Sequence, residues 1–259
     1  MSSPITTELI KELRDATGIS VMQCKRALEE AEGDMNKALA ILKKTSSDIA
    51  LKKADRMAAD GAVAVRTATG KTVLVSLHCE TDFVSRNEDF TSLLSTLADK
   101  AITDGIETMK EGAKELIDPI IQKTGENIQL GDAYLVEGDI IGNYVHNNKT
   151  AIIVSLEGGT SELAKDIAMH IAAMKPEYIS ASDIDAESIK TITEVFEKEV
   201  AGSDKPEEIK KKILEGKIAT YFKEKTLIDQ PFIKNPEDTI AKLLEKAKAK
   251  IKEVKRYSI

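Results

Sequence analysis

An α+β fold is predicted for this chain: a small three-helix module at the N-terminus, then two related subdomains, each an antiparallel sheet with helices on one face, with a helical hairpin inserted in the second. Three observations predict it. Within residues 1–45, apolar side chains recur at helical spacing between capping residues and glycines. A pattern of glycine, alternating segment, tight turn and Lys-Thr-led apolar run occurs twice, from Gly61 and from Gly138. Two charged amphipathic stretches then flank the breaker Gly202-Ser203-Asp204-Lys205-Pro206.

In the first module, Thr6 or Thr7 caps a helix carrying Leu9, Ile10 and Leu13, and Gly18 breaks it. Ser20 with Gln23 forms a capping-box pattern for a second helix, with Val21, Cys24, Ala27 and Leu28 on one face and Gly33 as its stop. Asp34 caps a third, bearing Leu39 and Leu42. So little apolar material makes a marginal domain that gains stability by docking. Ser46 to Asp60, polar and alanine-rich, reads as a partly helical linker.

The first hairpin runs from Gly61 through a turn at Thr69-Gly70 to Val73-Leu74-Val75-Ser76-Leu77. The second runs from Gly138 through a turn at Asn147-Asn148 to Ile152-Ile153-Val154-Ser155-Leu156. Helices follow, one from near Asn87 and one from near Ser161, the latter ending before Pro176. Ile189, Ile192, Val195, Phe196 and Val200 answer Ile209, Ile213 and Ile218 across residues 202–206, as in an antiparallel helical hairpin. Asn235-Pro236-Glu237-Asp238 reads as the opening of another capped helix, and Val254 to Ile259 as a closing strand. The expected divisions are 1–55, module and linker; 56–137, first subdomain; and 138–259, second subdomain with the hairpin at about 186–225.

Composition narrows the function classes. A chain of 259 residues, 42% hydrophobic, has enough apolar material for a folded core. Its formal charge of -7 argues against non-specific nucleic-acid binding, and the basic stretch Lys242 to Arg256 is interleaved with Glu245 and Glu253 as on a solvated face. Cys24 and Cys79 are isolated, which suggests neither a disulfide framework nor a zinc site and fits reduced thiols in the cytoplasm. No apolar run reaches membrane-spanning length and no signal segment is read, so no membrane role is expected.

Machinery for bond chemistry is missing from the pattern. There is no GxGxxG and no GxxxxGK[ST], and no motif calls for a cofactor or metal. Asp166 and His170 are spaced i,i+4, but no nucleophile or second acid accompanies them, so His170 reads as structural and the chain as no enzyme. What stands out is Thr81-Asp82-Phe83-Val84, a carboxylate beside a phenyl ring at a strand-to-helix junction, where side chains project from a rigid scaffold into a partner.

Leu13-Arg14-Asp15-Ala16-Thr17-Gly18 with Met22-Gln23-Cys24-Lys25-Arg26-Ala27-Leu28, and Cys79-Glu80-Thr81-Asp82-Phe83-Val84-Ser85, resemble the two signatures of the elongation factor Ts family. His170-Ile171-Ala172-Ala173 with Lys175-Pro176, and Gln230-Pro231-Phe232, look like further landmarks in the family's order, so the resemblance spans essentially the whole chain. Ser76-Leu77-His78 departs from the Glu-x-Asn usual there, Thr124 stands where an aliphatic residue is common, and Lys234 replaces an often apolar residue.

The resemblance implies a ubiquitin-associated-like module, a two-subdomain core and a helical hairpin. It also implies a function: promoting GDP release from the GTPase elongation factor Tu, bound both in its GDP form and nucleotide-free. In the family's manner, Asp82 would disturb the groups holding the magnesium-water shell and Phe83 would insert between switch-region helices, displacing the phosphate loop. Thr81 and Val84 flank that pair. Lys25, Thr124, Gly125, His146 and Ile233 match other partner-facing positions. A homodimer or a two-to-two complex with the GTPase is compatible with it.

Two other classes predict different behaviour. A ubiquitin-associated-type adaptor would bind its partner through residues 1–45 alone, with Phe83→Ala silent. An RNA-binding accessory protein would use the basic C-terminal strand and show steep salt dependence.

Overall fold

The computed structural model of the protein describes residues 5–202 and 206–259. Helix α1 (Thr7–Thr17) starts at Thr6, whose hydroxyl accepts from the Leu9 N–H at 3.2 Å, and ends at Gly18 in the left-handed region, φ 68°. Helix α2 (Val21–Glu30) is capped by Ser20, and α3 (Met35–Lys53) by Asp34. Leu13, Cys24, Ala27, Leu28, Ala38 and Leu42 form the module's core.

The stretch from Ser46, expected as a partly helical linker, is helical through Lys53, as the last turns of the 19-residue α3. Its polarity has partners. Ser46 donates to Gln122, and Ser47 donates to Asp118 at 2.6 Å, both on α6 (Ile106–Thr124), while Ala50 enters the first core. Polar residues can extend a buried helix face when a neighbouring helix satisfies them.

Strands β1 (Asp60–Ala68) and β2 (Lys71–Cys79) form the first hairpin, in register from Asp60 opposite Cys79 to Ala68 opposite Lys71. A four-residue helix α4 (Asp82–Ser85), then α5 (Glu88–Thr103) and α6, lead to β3 (Ile128–Glu137), which pairs antiparallel to β2 to give the order β1-β2-β3. The sequence pattern does not foreshadow β3. Its register shifts opposite Val75 to Leu77, where a Cβ on Gly131 would lie 2.4 Å from the Ser76 hydroxyl. Val73, Val75, Leu77 and Cys79, two apart along β2, pack with Phe90, Leu94 and Leu97 of α5 and Ile117 and Ile121 of α6.

The second hairpin is β4 (Ile140–His146) and β5 (Thr150–Glu157), turned by Asn147 and Asn148 at φ 50° and 55°. Helix α7 (Ser161–Met174) follows, then the helical pair α8 (Ala186–Ala201) and α9 (Glu207–Lys225), in contact through Phe196 and Tyr221. Part of the expected turn between them, residues 203–205, lies outside the described residues. Strands β6 (Pro231–Phe232) and β7 (Asn235–Thr239), helix α10 (Ile240–Lys246) and β8 (Lys250–Ser258) complete the chain.

Asn235 to Asp238 do not open a helix as expected: they form β7, and Thr239 caps α10 by accepting from the Lys242 N–H at 3.3 Å. Asp238 is drawn to the Lys246 ammonium at 2.8 Å instead. The second sheet has the order β4-β5-β8, with Ser258 beside Thr150 and Ala249 beside Gly159, so β8 runs antiparallel to β5. Its core joins Ile152, Val154 and Leu156 to Ile167 and Ile171 of α7 and to Ile240.

The chain forms two compact units. One holds the chain through Glu137 together with Val145–Ala151 and Arg256–Ile259; the other holds Gly138–Tyr144 and Ile152–Lys255.

Candidate functional site

Helix α4 begins directly after the last residues of β2. Thr81 has extended backbone angles, φ -132° and ψ 159°, and its hydroxyl accepts from the Val84 N–H at 3.5 Å, capping the single turn. Val84 packs on the first core and Ser85 is buried, so those two side chains anchor the turn from inside. Asp82 and Phe83 face out. The Phe83 ring is 84% exposed, and the Asp82 carboxylate pairs loosely with Arg86 at 3.2 Å on the surface. An apolar ring held outside water-excluding contacts is the kind of group a partner buries.

The turn is braced on two sides. On one, Glu126 accepts from the N–H groups of Glu80 and Thr81 at 3.1 and 3.0 Å and from the Thr81 hydroxyl at 2.6 Å. On the other, the Lys149 ammonium donates to Ser85 at 3.2 Å, to the Gly61 carbonyl at 2.5 Å and to Asp60 at 2.6 Å. Partial burial raises the Asp60 pKa, but the Lys149 ammonium, the Ser85 hydroxyl and the Gly61 N–H outweigh it and hold the carboxyl below its ordinary value. The Cys79 thiol beneath the turn donates to the Thr81 carbonyl at 3.2 Å, and burial together with the Asp60 and Glu126 charges pushes its pKa up to about 12. That thiol has no nucleophilic character near neutral pH.

The other expected partner-facing residues fall into four places. Thr124 and Gly125 end α6 next to Glu126: the Thr124 hydroxyl donates to the Ile120 carbonyl at 2.8 Å, and Gly125 is the left-handed cap at φ 78°. His146 is exposed at the end of β4, beside Asn147 at 3.3 Å; its hairpin tip is fixed to β1 by the Val63 N–H donating to the Asn148 carbonyl at 2.8 Å. Lys25 stands exposed on α2 and pairs with Glu29 at 3.7 Å.

Ile233 belongs to the other unit, 37% exposed, with its N–H donating to His170 Nδ1 at 3.3 Å. Because Nδ1 must accept there, His170 is neutral and its Nε2–H donates to Gln230 Oε1 at 2.8 Å. Asp166 is taken by Lys234 at 2.6 Å, so the Asp166–His170 pair does not form. The Lys234 departure thus has a surface ion pair as its structural counterpart.

Sequence reasoning missed Glu126 and Lys149 as the braces of the turn. The position of Glu126 immediately after the Thr124-Gly125 helix stop was the available signal. Ser76 and His78, which depart from the family pattern, are also engaged: Ser76 donates to the Asp132 carbonyl at 3.0 Å, and His78 meets the Tyr257 hydroxyl at 2.7 Å. Among the described residues no cluster of three or more His, Cys, Asp or Glu side chains is placed to hold a metal, and no helix is long and apolar enough to cross a membrane.

A three-helix module leads a twice-built α+β body, and a braced turn on that body displays Asp82 and Phe83 at its surface. The family model for a UBA-like domain matches residues 6–42, and that for elongation factor TS matches residues 80–259. Similar proteins include elongation factor Ts of Hahella chejuensis, 40% identical over 98% of this chain and 92% of that protein. The elongation factor Ts of Cellvibrio japonicus is also 40% identical, over 99% and 91%, and that of Pseudomonas aeruginosa is 36% identical, over 98% and 91%. The chain belongs to the elongation factor Ts family, a family of translation elongation factors.

Proposed function

We propose that this protein binds elongation factor Tu in the cytoplasm and accelerates the release of GDP, acting by displacement and making or breaking no bond. The observation that carries the reading is Phe83, 84% exposed beside Asp82 on a turn whose entry is held by Glu126 and whose Ser85 hydroxyl is held by Lys149. GDP and its Mg²⁺ are held by phosphate-loop amides and oxygen ligands, so a small displacement by an inserted ring and a competing carboxylate removes several interactions together. Linkage does the rest: a factor that binds the nucleotide-free GTPase more tightly weakens nucleotide binding by the same ratio. Thr124, Gly125, His146, Lys25 and Ile233 supply further contacts in this reading, and nucleic acid is not a direct partner. Release of a fluorescent GDP analogue from elongation factor Tu, in excess unlabelled GDP and Mg²⁺, tests it. Strong acceleration by the native chain that is largely lost in Asp82→Ala/Phe83→Ala supports the mechanism; full activity of that double variant refutes it.

A second reading is favoured by the exposed Val21, Met22 and Leu39 on the helical module, 48%, 58% and 38% accessible. They suit an adaptor that docks a protein through the module alone. In that case the native chain would leave GDP release unchanged.

A further inference from the structure

The Asp82–Phe83 turn is four residues long, too short to hold its own shape, since one hydrogen-bonded turn costs more conformational entropy than it returns. Its geometry must be imposed from outside. Glu126 is placed to do this. One carboxylate oxygen takes two successive backbone donors, the N–H groups of Glu80 at 3.1 Å and Thr81 at 3.0 Å, and the other takes the Thr81 hydroxyl at 2.6 Å. An ionised carboxylate is acceptor-only and suits three converging donors; such charge-assisted bonds are the stronger kind.

The hydroxyl bond has a consequence for the cap. Because Thr81 spends its proton on Glu126, its oxygen lone pairs are left to face the Val84 N–H, which is the contact that starts α4. The support is reciprocal as well: the Asn127 N–H donates to the Glu80 carboxylate at 2.6 Å, and the Asn127 side-chain amide donates to the Arg56 carbonyl at 2.7 Å. Lys53, at the end of α3, donates to the Gly125 carbonyl. The segment carrying Glu126 is therefore itself tied to the chain leaving the helical module.

We propose that Glu126 is a positioning residue for the Asp82–Phe83 turn, fixing the chain's entry into α4 and coupling the Thr124–Gly125 loop to the exposed ring. The proposal deepens the exchange reading and rests on it. Glu126 does not touch the partner's nucleotide site in this scheme; it acts through Thr81 on Phe83. A misplacement of about 1 Å at such a site is enough to lower a rate by up to about a hundredfold.

The test uses the full-length chain and elongation factor Tu loaded with a fluorescent GDP analogue. Glu126→Ala is expected to lower the acceleration of GDP release roughly 10- to 100-fold. Glu126→Gln should lose less, because its amide oxygen still accepts from the two N–H groups and the Thr81 hydroxyl can turn to accept from the amide nitrogen. The discriminating arm is a double-mutant cycle: in an Asp82→Ala/Phe83→Ala background, Glu126→Ala should change the rate by less than about twofold, because the residues through which it acts are gone. Amide hydrogen exchange at Glu80, Thr81 and Val84 should be faster in Glu126→Ala, with the thermal transition retained. Equal losses in both backgrounds, or unchanged amide exchange at those three positions, would overturn the proposal. A native chain that fails to accelerate release would sink the exchange reading, and the amide-exchange arm would still decide whether Glu126 holds the turn.

Discussion

Replacing Phe83 by alanine separates what the ring does for the fold from what it does for a partner. With 84% of the residue exposed, the ring contributes little to the folded chain, and a surface truncation of this kind changes stability by no more than about 0.5 kcal/mol. The neighbouring Val84 and Ser85 keep the anchoring contacts, and the Glu126 bonds to Glu80 and Thr81 involve no Phe83 atom. On docking, the whole ring is available for burial. Burying such a side chain fully stabilises a complex by about 1.5–3 kcal/mol relative to leaving it exposed, which is roughly 10- to 150-fold in rate if the burial is completed in the nucleotide-free complex. Paired measurements on the same samples read both quantities: urea unfolding for stability, and stopped-flow release of labelled GDP from elongation factor Tu. An unchanged unfolding midpoint with a loss of exchange in that range is expected. Exchange within twofold of the native value, or a stability loss above about 1 kcal/mol, would refute the reasoning.

Two other outcomes follow from the second unit. Gly142→Ala should destabilise by about 2 kcal/mol or more, because its Cβ would lie 2.1 Å from the Lys165 N, a backbone atom of α7 that cannot swing away; a urea midpoint equal to the native one would contradict this. Burial lowers the pKa of His170 from its ordinary value of 6.5 despite the Gln230 bond that raises it, so the folded state binds this proton less readily than the unfolded chain. Its contribution to stability is then fully present above about 6.5 and is lost as pH falls from there through the lower folded value, since protonation removes the Nδ1 acceptor from the Ile233 N–H. An imidazole resonance of His170 titrating with a midpoint at or above 6.5 would contradict it.

Much of this architecture is legible in the sequence because the local signals are chemical and specific. Ser20, Asp34 and Asn87 cap helices as their side chains require, and Asn147-Asn148 takes the positive φ that a tight hairpin demands. What was not legible depends on neighbours distant in sequence. The polarity of Ser46 and Ser47 suggested a linker because the partners that bury them, Gln122 and Asp118, lie more than seventy residues on. Strand β3 is not legible because Gly131-Asp132 interrupts its alternation at the register shift, where a Cβ at Gly131 would meet the Ser76 hydroxyl at 2.4 Å. At the site, the displayed residues Asp82 and Phe83 were visible as a motif. Glu126 and Lys149, which hold them, carry only weak local signals: a carboxylate after a helix stop and a lysine after a turn look like ordinary surface charges until their donors and acceptors are known.

The repeated architecture also explains why one junction presents side chains and the other does not. Both sheets place a hairpin first and bring a later strand back onto the hairpin's second strand, giving β1-β2-β3 and β4-β5-β8. Both hairpins lead into a helix. Between β2 and α5 the chain inserts α4, whose outward face carries Asp82 and Phe83. Between β5 and α7 there stand only Gly158, Gly159 and the capping Thr160, with the glycines at φ 76° and 79°. A Cβ at Gly158 would meet the Lys248 carbonyl at 2.4 Å, and one at Gly159 would meet the Ala249 Cβ at 3.0 Å. At the two glycines the second junction is closed against the chain entering β8, and its one side chain, that of Thr160, caps α7. The first is long enough to leave the sheet and short enough to need external bracing, which the carboxylate of Glu126 provides at Thr81 and the ammonium of Lys149 at Ser85. A phenyl ring on an unbraced loop would have to give up conformational freedom on docking, and each ordered residue would cost about 1–2 kcal/mol. Holding the turn before the partner arrives removes that cost, so the burial of one ring can be spent on the complex.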